Sequence, residues 1–122
     1  MAECFFCNCI EKQDFELEND LAFSIMDGYP VSNGYMLFIT KRHVKDWWET
    51  TIEEKLAIFN LIDEAKKKID AKYNPDGYNI GMNLGKDAGQ TIMHIHVHLI
   101  PRYNGDMPNP RGGVRGVIPE KR

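Results

Sequence analysis

Two hydrophobic periods run through the chain. In "DFELENDLAFSIMD" (residues 14–27), Phe15 and Leu17 alternate with acids. Asn19-Asp20 supply turn chemistry, and residues 21–26 form a second apolar run, so the segment predicts a hairpin. "YMLFIT" (35–40) is almost continuously apolar and predicts a central strand buried on both faces. The period then changes to three and four. In residues 50–73, Ile52, Leu56, Phe59, Ile62, Ala65, Ile69 and Tyr73 make one helical stripe, and Thr51 with Glu54 fits a capping box. Lys66, Lys67 and Lys68 near its end suit the helix dipole and predict a solvated face. Alternation returns in residues 78–85, with Tyr78, Ile80, Met82 and Leu84 on one face and Asn79, Gly81 and Asn83 on the other. It returns again in residues 93–100, where Met93, Ile95, Val97 and Leu99 lie opposite three histidines, and Pro101 should end the strand.

The segments "GYPVSNG" (28–34), "NPDG" (74–77) and "KDAGQ" (86–90) read as loops and turns. From about Arg102 the chain is rich in Gly, Pro and Arg, which predicts an extended tail and not a helix. The order is hairpin, strand, long helix, strand, strand. Short loops favour antiparallel pairing, so the class is α+β: an antiparallel sheet with one main helix packed on a face.

Length and charge narrow this further. A chain of 122 residues fits one domain, 1–122, with a real core. A net charge of −3 is a poor footprint for nucleic acid, so none is expected as a partner. Small anionic ligands stay open, because one site can be positive when the whole is not. No apolar run approaches a membrane span, and "MAECFFCNCI" lacks the basic start of a secretory leader, so no membrane partner and a cytoplasmic location are expected. There thiols stay reduced or bind metal, and three cysteines do not suit a disulfide framework.

Candidate chemistry sits in "QTIMHIHVHLIPRY" (90–103). Strand side chains alternate faces, so His94, His96 and His98 share one. Residues two apart lie about 6.8 Å apart along a strand and residues four apart about 13 Å. All three imidazoles therefore cannot hold one metal ion at about 2.0–2.1 Å, and the trio has at least two jobs. The sequence shows no nucleophile-elbow serine, no phosphate-cradling glycine loop and no paired carboxylate nearby. It does show oxygen-directed donors: Asn83, Gln90, Thr91 and, just beyond, Arg102. Neutral imidazole and donors with little negative charge describe a phosphate site, and histidine can itself be the nucleophile.

"HIHVHLI" resembles the signature of the histidine triad (HIT) superfamily. The resemblance extends through "CFFC", "FSIMD", "PVSNGYMLFITKRHV" and "NLGKDAGQTIMHIHVHLIPR", and is strongest toward the bacterial Hint-like and Fhit-like hydrolases. It implies a sheet of about five strands with one long helix and a short N-terminal helix. It also implies that His96 attacks the α-phosphorus of a nucleotide and becomes nucleotidylated, while a backbone carbonyl holds its other ring nitrogen. His98 would bind phosphate oxygens, Asn83, Gln90 and Thr91 would contact phosphate or leaving group, Asp27 the ribose hydroxyls, and Phe6 the nucleobase. The implied substrates are purine nucleoside phosphoramidates and dinucleoside polyphosphates, and the implied assembly is a homodimer. The chain departs from the family at Tyr35, where Gly-His is common, and at Thr40, where Pro is common.

Cys4 and Cys7 form a C-x-x-C, half of a tetrahedral zinc site, with better spacing than Cys9. His43 is the one histidine outside the triad, and His94 is too far from His98 to share its task. Cys4, Cys7, His43 and His94 would complete a structural zinc site, as the resemblance also implies; no organic cofactor is expected. Of Trp47 and Trp48, one is expected in the core and the other at a dimer contact. Arg111 and Arg115 of the tail are either polyphosphate ligands or plain surface. Two other functions stay open: a hydrolase with a catalytic metal on His96 and His98, and a nucleotide-binding module with little turnover.

Overall fold

A computed structural model describes residues 4–27 and 32–122; the loop expected at 28–31 lies outside them. Helix α1 spans Phe5–Lys12. Strands β1 (Leu17–Glu18), β2 (Ala22–Met26) and β3 (Met36–Thr40) precede the long helix α2 (Ile52–Tyr73), and β4 (Gly77–Gly81) and β5 (His96–Arg102) follow it. The sheet order is β1-β2-β3-β5-β4, with every neighbouring pair antiparallel. The α+β class is as the sequence implied.

The hairpin turn works through Asn19. Its Oδ1 accepts from the backbone N–H of Leu21 and Ala22, and its amide donates to the Ala57 carbonyl, which ties the turn to α2. Phe15 and Leu17 do not share a face as their alternation predicted. Leu17 joins the core under α2 and Phe15 packs on the opposite side against Phe23, because the chain bends at Glu16 before the strand begins.

Strand β3 is buried at every position and lies at the sheet's centre. Met36 and Phe38 face α2 together with Val97 and Leu99. Leu37 and Ile39 face the other way, in a second core with Phe6 and Cys9 of α1. The register pairs Leu37 with His98 and Ile39 with His96, so the histidines belong to the α1 side. Pro101 does not end β5. It pairs with Tyr78 of β4, and the last β3 partner is Leu99, so its missing N–H costs no ladder bond to β3. Strand β4 is shorter than the alternation predicted; Tyr78 and Met82 pack on the core while Ile80 is exposed at the edge.

Helix α2 begins with the predicted capping box. Thr51 Oγ1 accepts from the Glu54 N–H at 3.0 Å, and Glu54 Oε1 accepts from the Thr51 N–H at 2.9 Å. Its buried face differs from the predicted stripe. Ala57, Ile58, Leu61, Ile62, Ala65 and Ile69 meet the sheet, while Ile52, Leu56 and Phe59 are 72%, 53% and 49% exposed. The apolar stripe is wider than the surface one sheet covers. Trp47 packs on the core and Trp48 is exposed. The tail has no α-helix, as expected, but it winds into short 3₁₀ turns at Gly113–Val117 and Pro119–Lys121.

Glu54 is buried and meets Arg42 through two bonds of 3.0 and 2.7 Å. The guanidinium, first, and then the Thr51 N–H hold its carboxyl below the usual range against the opposing effect of burial. A carboxyl with a lowered folded pKa adds stability above its unfolded pKa and loses it as pH falls through the folded one. Glu54→Gln is therefore expected to lower the melting temperature at pH 7. The fall in melting temperature of wild type between about pH 6 and pH 3 should shrink in the variant. Equal pH slopes in thermal melts would remove the assignment.

Candidate active site and metal centre

His96 is buried, and its Nδ1 lies 2.9 Å from the His94 carbonyl oxygen. A carbonyl only accepts, so Nδ1 carries the ring proton and Nε2 keeps its lone pair. Burial, the larger effect, lowers the pKa of His96 below that of a free imidazole, against the opposing pull of the His94 carbonyl and Asp27. The ring is thus neutral at pH 7 with an unprotonated Nε2, which is what a nucleophile requires. Burial and then His96 likewise depress His98, whose ring centroid is 5.1 Å from that of His96. His98 Nδ1 meets the Tyr35 hydroxyl at 2.7 Å, and its Nε2 is buried without a protein partner.

Gly34 explains how Tyr35 arrives there. It has φ +88°, and a Cβ on it would stand 3.1 Å from both Ile69 Cγ2 and Tyr73 Cδ2 of α2. Only glycine permits this turn flush against the helix, and the next residue is carried across the sheet to the histidine side.

The other predicted site residues divide. Asp27 lies close enough to favour the protonated forms of His96 and His98. Asn83 lines a cavity of about 420 Å³ together with Tyr35, His98, Ile100 and Met107. Thr91 is exposed in the loop before His94. Gln90 is buried and fully engaged: Oε1 accepts from the Gly85 N–H, and Nε2 donates to the carbonyls of Lys45 and Ile92. It holds the loop together and has no donor left for a phosphate. Phe6 has no exposed surface. Its ring packs against His96 and His94 with centroids 4.9 and 5.7 Å away, so it backs the histidines. Arg102 forks onto Asp106 at 2.8 and 2.7 Å and donates to Asn79, so it too is committed. The tail arginine lining the cavity is Arg122, whereas Arg115 donates to the Lys121 carbonyl.

Sequence reasoning missed two supporting groups. One is the Tyr35 hydroxyl: the sequence marks Tyr35 only as a departure from the family's histidine, while the structure sets it on the histidine side of the sheet with Leu37 and Ile39. The other is the Thr40 carbonyl, 2.7 Å from His94 Nε2. No side-chain pattern announces a backbone partner.

That carbonyl orients the second site. It holds the proton on His94 Nε2, which turns the Nδ1 lone pair toward the cysteines. Cys4 Sγ lies 3.4 Å and Cys7 Sγ 3.7 Å from His94 Nδ1, and Cys7 Sγ lies 3.3 Å from His43 Nδ1. All four ligand atoms fall within 4.8 Å of one another. A tetrahedral zinc with sulfur at about 2.3 Å and nitrogen at about 2.0–2.1 Å needs ligand separations of roughly 3.3–3.8 Å. The donor set therefore fits zinc. Burial, first, and the neighbouring Cys4 push the Cys7 thiol up to about 11, while burial pushes His94 down to about 4. His94 is ready as a neutral ligand, and a cation is what would offset the cost of two adjacent thiolates. Cys9 lies in the core, outside this group. The Ile95 N–H donates to the Val44 carbonyl at 2.8 Å, which brings the loop carrying His43 beside His94.

Known proteins resemble this chain in sequence and fold. The family model "HIT domain" matches residues 11–105. A 16.1 kDa HIT-like protein of Mycoplasma pneumoniae is 35% identical over 103 residues, which is 82% of this chain and 72% of that protein. A HIT family protein from Bacillus anthracis superposes with a TM-score of 0.80 at 31% identity, covering 98% of this chain and 89% of the other. A zinc-bound histidine triad protein from Mycobacterium smegmatis gives 0.78 at 28% identity, over 95% and 91%. Some relatives carry enzyme names. The adenylylsulfatase HINT3 of Arabidopsis thaliana is 33% identical over 107 residues (85% of this chain, 54% of that protein), and the AP-4-A phosphorylase of Mycobacterium tuberculosis is 31% identical over 87 residues (70% and 45%). With the family model spanning most of its length and the same fold beneath its three histidines, the chain belongs to the HIT family.

Proposed function

We propose that the chain is a nucleotide hydrolase or transferase of the HIT type, which cleaves the bond at the α-phosphate of nucleoside phosphoramidates or dinucleoside polyphosphates. The carrying observation is the Nδ1–H···O=C bond of His96, which leaves a buried, neutral imidazole with a free Nε2 lone pair. In the first step Nε2 attacks the α-phosphorus. A nitrogen–phosphorus bond forms, and the bond to the leaving amine or phosphate breaks. In the second step water attacks the same phosphorus, the nitrogen–phosphorus bond breaks, and a nucleoside monophosphate leaves as His96 returns to its neutral form. The unpartnered Nε2 of His98 and the Asn83 side chain supply donors for the phosphate, with Thr91 at the rim. Asp27 accepts from the ribose hydroxyls. Phe6 fixes the histidines it backs, and Gln90 holds the loop before them. The names of the sulfatase and phosphorylase relatives support chemistry at a nucleotide phosphorus.

The zinc is structural in this reading, held by Cys4, Cys7, His43 and His94. Among the described residues that is the cluster with ligand spacing, and it includes neither His96 nor His98. The reading with a catalytic ion on those two histidines has no such support. Trp48, Ile52, Leu56 and Phe59 form an exposed apolar face that suits contact with a second copy, so the working form is a homodimer. Among the described residues no helix is long and apolar enough to cross a membrane. Reduced thiols at the metal centre fit a cytoplasmic setting.

The test is a panel of adenosine phosphoramidate and diadenosine tri- and tetraphosphate, ranked by kcat/KM. Release of AMP should persist in excess chelator over the time before unfolding. Turnover abolished at once by chelation, with the fold intact, would favour a catalytic ion instead. Asp27→Ala is expected to raise KM by about tenfold or more while kcat changes less, as when binding common to ground and transition states is lost. A variant in which kcat falls and KM holds would remove the ribose role.

A further inference from the structure

Building on that reading, we propose that Tyr35 is a positioning residue that selects the reactive tautomer of His98. Its hydroxyl donates to His98 Nδ1 at 2.7 Å and so places the ring proton on Nε2, a buried nitrogen with no other partner. The direction of the bond follows from proton counting. A neutral imidazole has one N–H and one lone pair. Were Nδ1–H the donor, the phenol proton would be turned away from the nitrogen beside it. Nε2 would then present a lone pair to an anionic substrate. With the phenol as donor, both groups are used in their favourable sense, and Nε2–H is aimed for a phosphate oxygen. That oxygen supplies the partner Nε2 lacks.

The surroundings keep the device in one state. Burial, first, and then the Asp27 carboxylate raise the Tyr35 pKa above its ordinary value, so the phenol holds its proton through the neutral range. The tyrosine is itself buried, fixed by Gly34 on one side and by its place among Phe6, Leu37 and Ile39 on the other. Its ring meets that of His98 edge-on, with centroids 5.8 Å apart. Tyr35 touches neither the attacked phosphorus nor the nucleophile; it acts through His98.

Long-range nitrogen–proton NMR on the ¹⁵N-labelled protein, free of substrate, reads the tautomer directly, with His98 assigned through a His98→Gln spectrum. Wild type is expected to show a single tautomer protonated on Nε2. Tyr35→Phe, which removes one oxygen, should show a mixture with a clear Nδ1–H share. Its kcat should fall about tenfold, the loss expected when one aligned donor is no longer guaranteed, with KM within about twofold. A wild-type ring protonated on Nδ1 overturns the proposal, as does a Tyr35→Phe protein whose tautomer and kcat both match wild type. Should wild type turn over no nucleotide at all, the hydrolase reading fails. The spectrum still decides the role of Tyr35.

Discussion

His96→Ala is expected to abolish turnover, lowering kcat by about 10⁴-fold or more, because the variant loses the atom that forms the covalent bond. Water in the vacated space is a poor substitute. It lacks the fixed lone pair that the His94 carbonyl creates by holding Nδ1–H at 2.9 Å. Mass spectrometry of wild type quenched during turnover should show a nucleotidyl adduct on the peptide carrying His96, and the variant should show none. Nucleoside monophosphate should still bind the variant within about threefold of wild type. Asp27 is retained, and most of the binding energy lies away from the reacting centre. Stability should change little in comparison: the ring is buried, but its neighbour Phe6 is held by its own core of Cys9, Phe23 and Ile39. An alanine variant that keeps a tenth of wild-type kcat, or an adduct on His98, would overturn the assignment of the nucleophile.

Joint replacement of Cys4 and Cys7 by Ser is expected to have the largest effect on stability. Bound zinc, measured by elemental analysis, should disappear. The melting temperature should fall by about 10 °C, the shift that a loss of roughly 3 kcal/mol produces in a domain of this size. The reason is where the ligands come from. Cys4 is the N-cap of α1 and Cys7 lies in its first turns, His43 is in the segment after β3, and His94 immediately precedes β5. One ion would join three segments of the chain. Turnover at a temperature where the variant stays folded should survive, within about tenfold, since the zinc contacts no reacting atom. Some loss is expected because the carbonyl that orients His96 belongs to His94, one of the four proposed zinc ligands. A doubly substituted protein that melts with wild type would show that these side chains simply pack.

The two results separate the metal from the chemistry. Loss of the central imidazole should remove the reaction and leave the fold. Loss of the thiols should weaken the fold and leave the reaction. The division matches the distribution of hydrogen-bond partners, with a backbone carbonyl on each of His94 and His96 and the Tyr35 phenol on His98. In the proposed reading, these hydrogen bonds on their far nitrogens suit the three alternate histidines to three different tasks.

Much of this was legible along the chain. Alternation in residues 93–100 predicted one strand with the histidines opposite Met93, Ile95, Val97 and Leu99. The structure keeps that division for His96 and His98 against Val97 and Leu99, but β5 begins only at His96, so His94 sits in the bend before it and Met93 is exposed. The capping box, the Asn19 turn and the buried strand of residues 36–40 were written in local residue types, because caps, turns and double-sided burial depend on near neighbours. Other features were not local. The wide stripe of α2 left open which part meets the sheet, and packing chose Ile58 and Leu61 over Leu56 and Phe59. Gln90 and Arg102 looked like phosphate donors, since a sequence shows donors and not whether they are already engaged.

What the sequence by itself determined was the class of fold and the side of the sheet on which the imidazoles lie. These follow from periods and residue chemistry that any extended or helical segment must obey. Tertiary structure alone decided which nitrogen of each histidine carries its proton. The partners are the carbonyls of Thr40 and His94 and the hydroxyl of Tyr35, and for His94 and His98 the chain brings them together from more than fifty residues away.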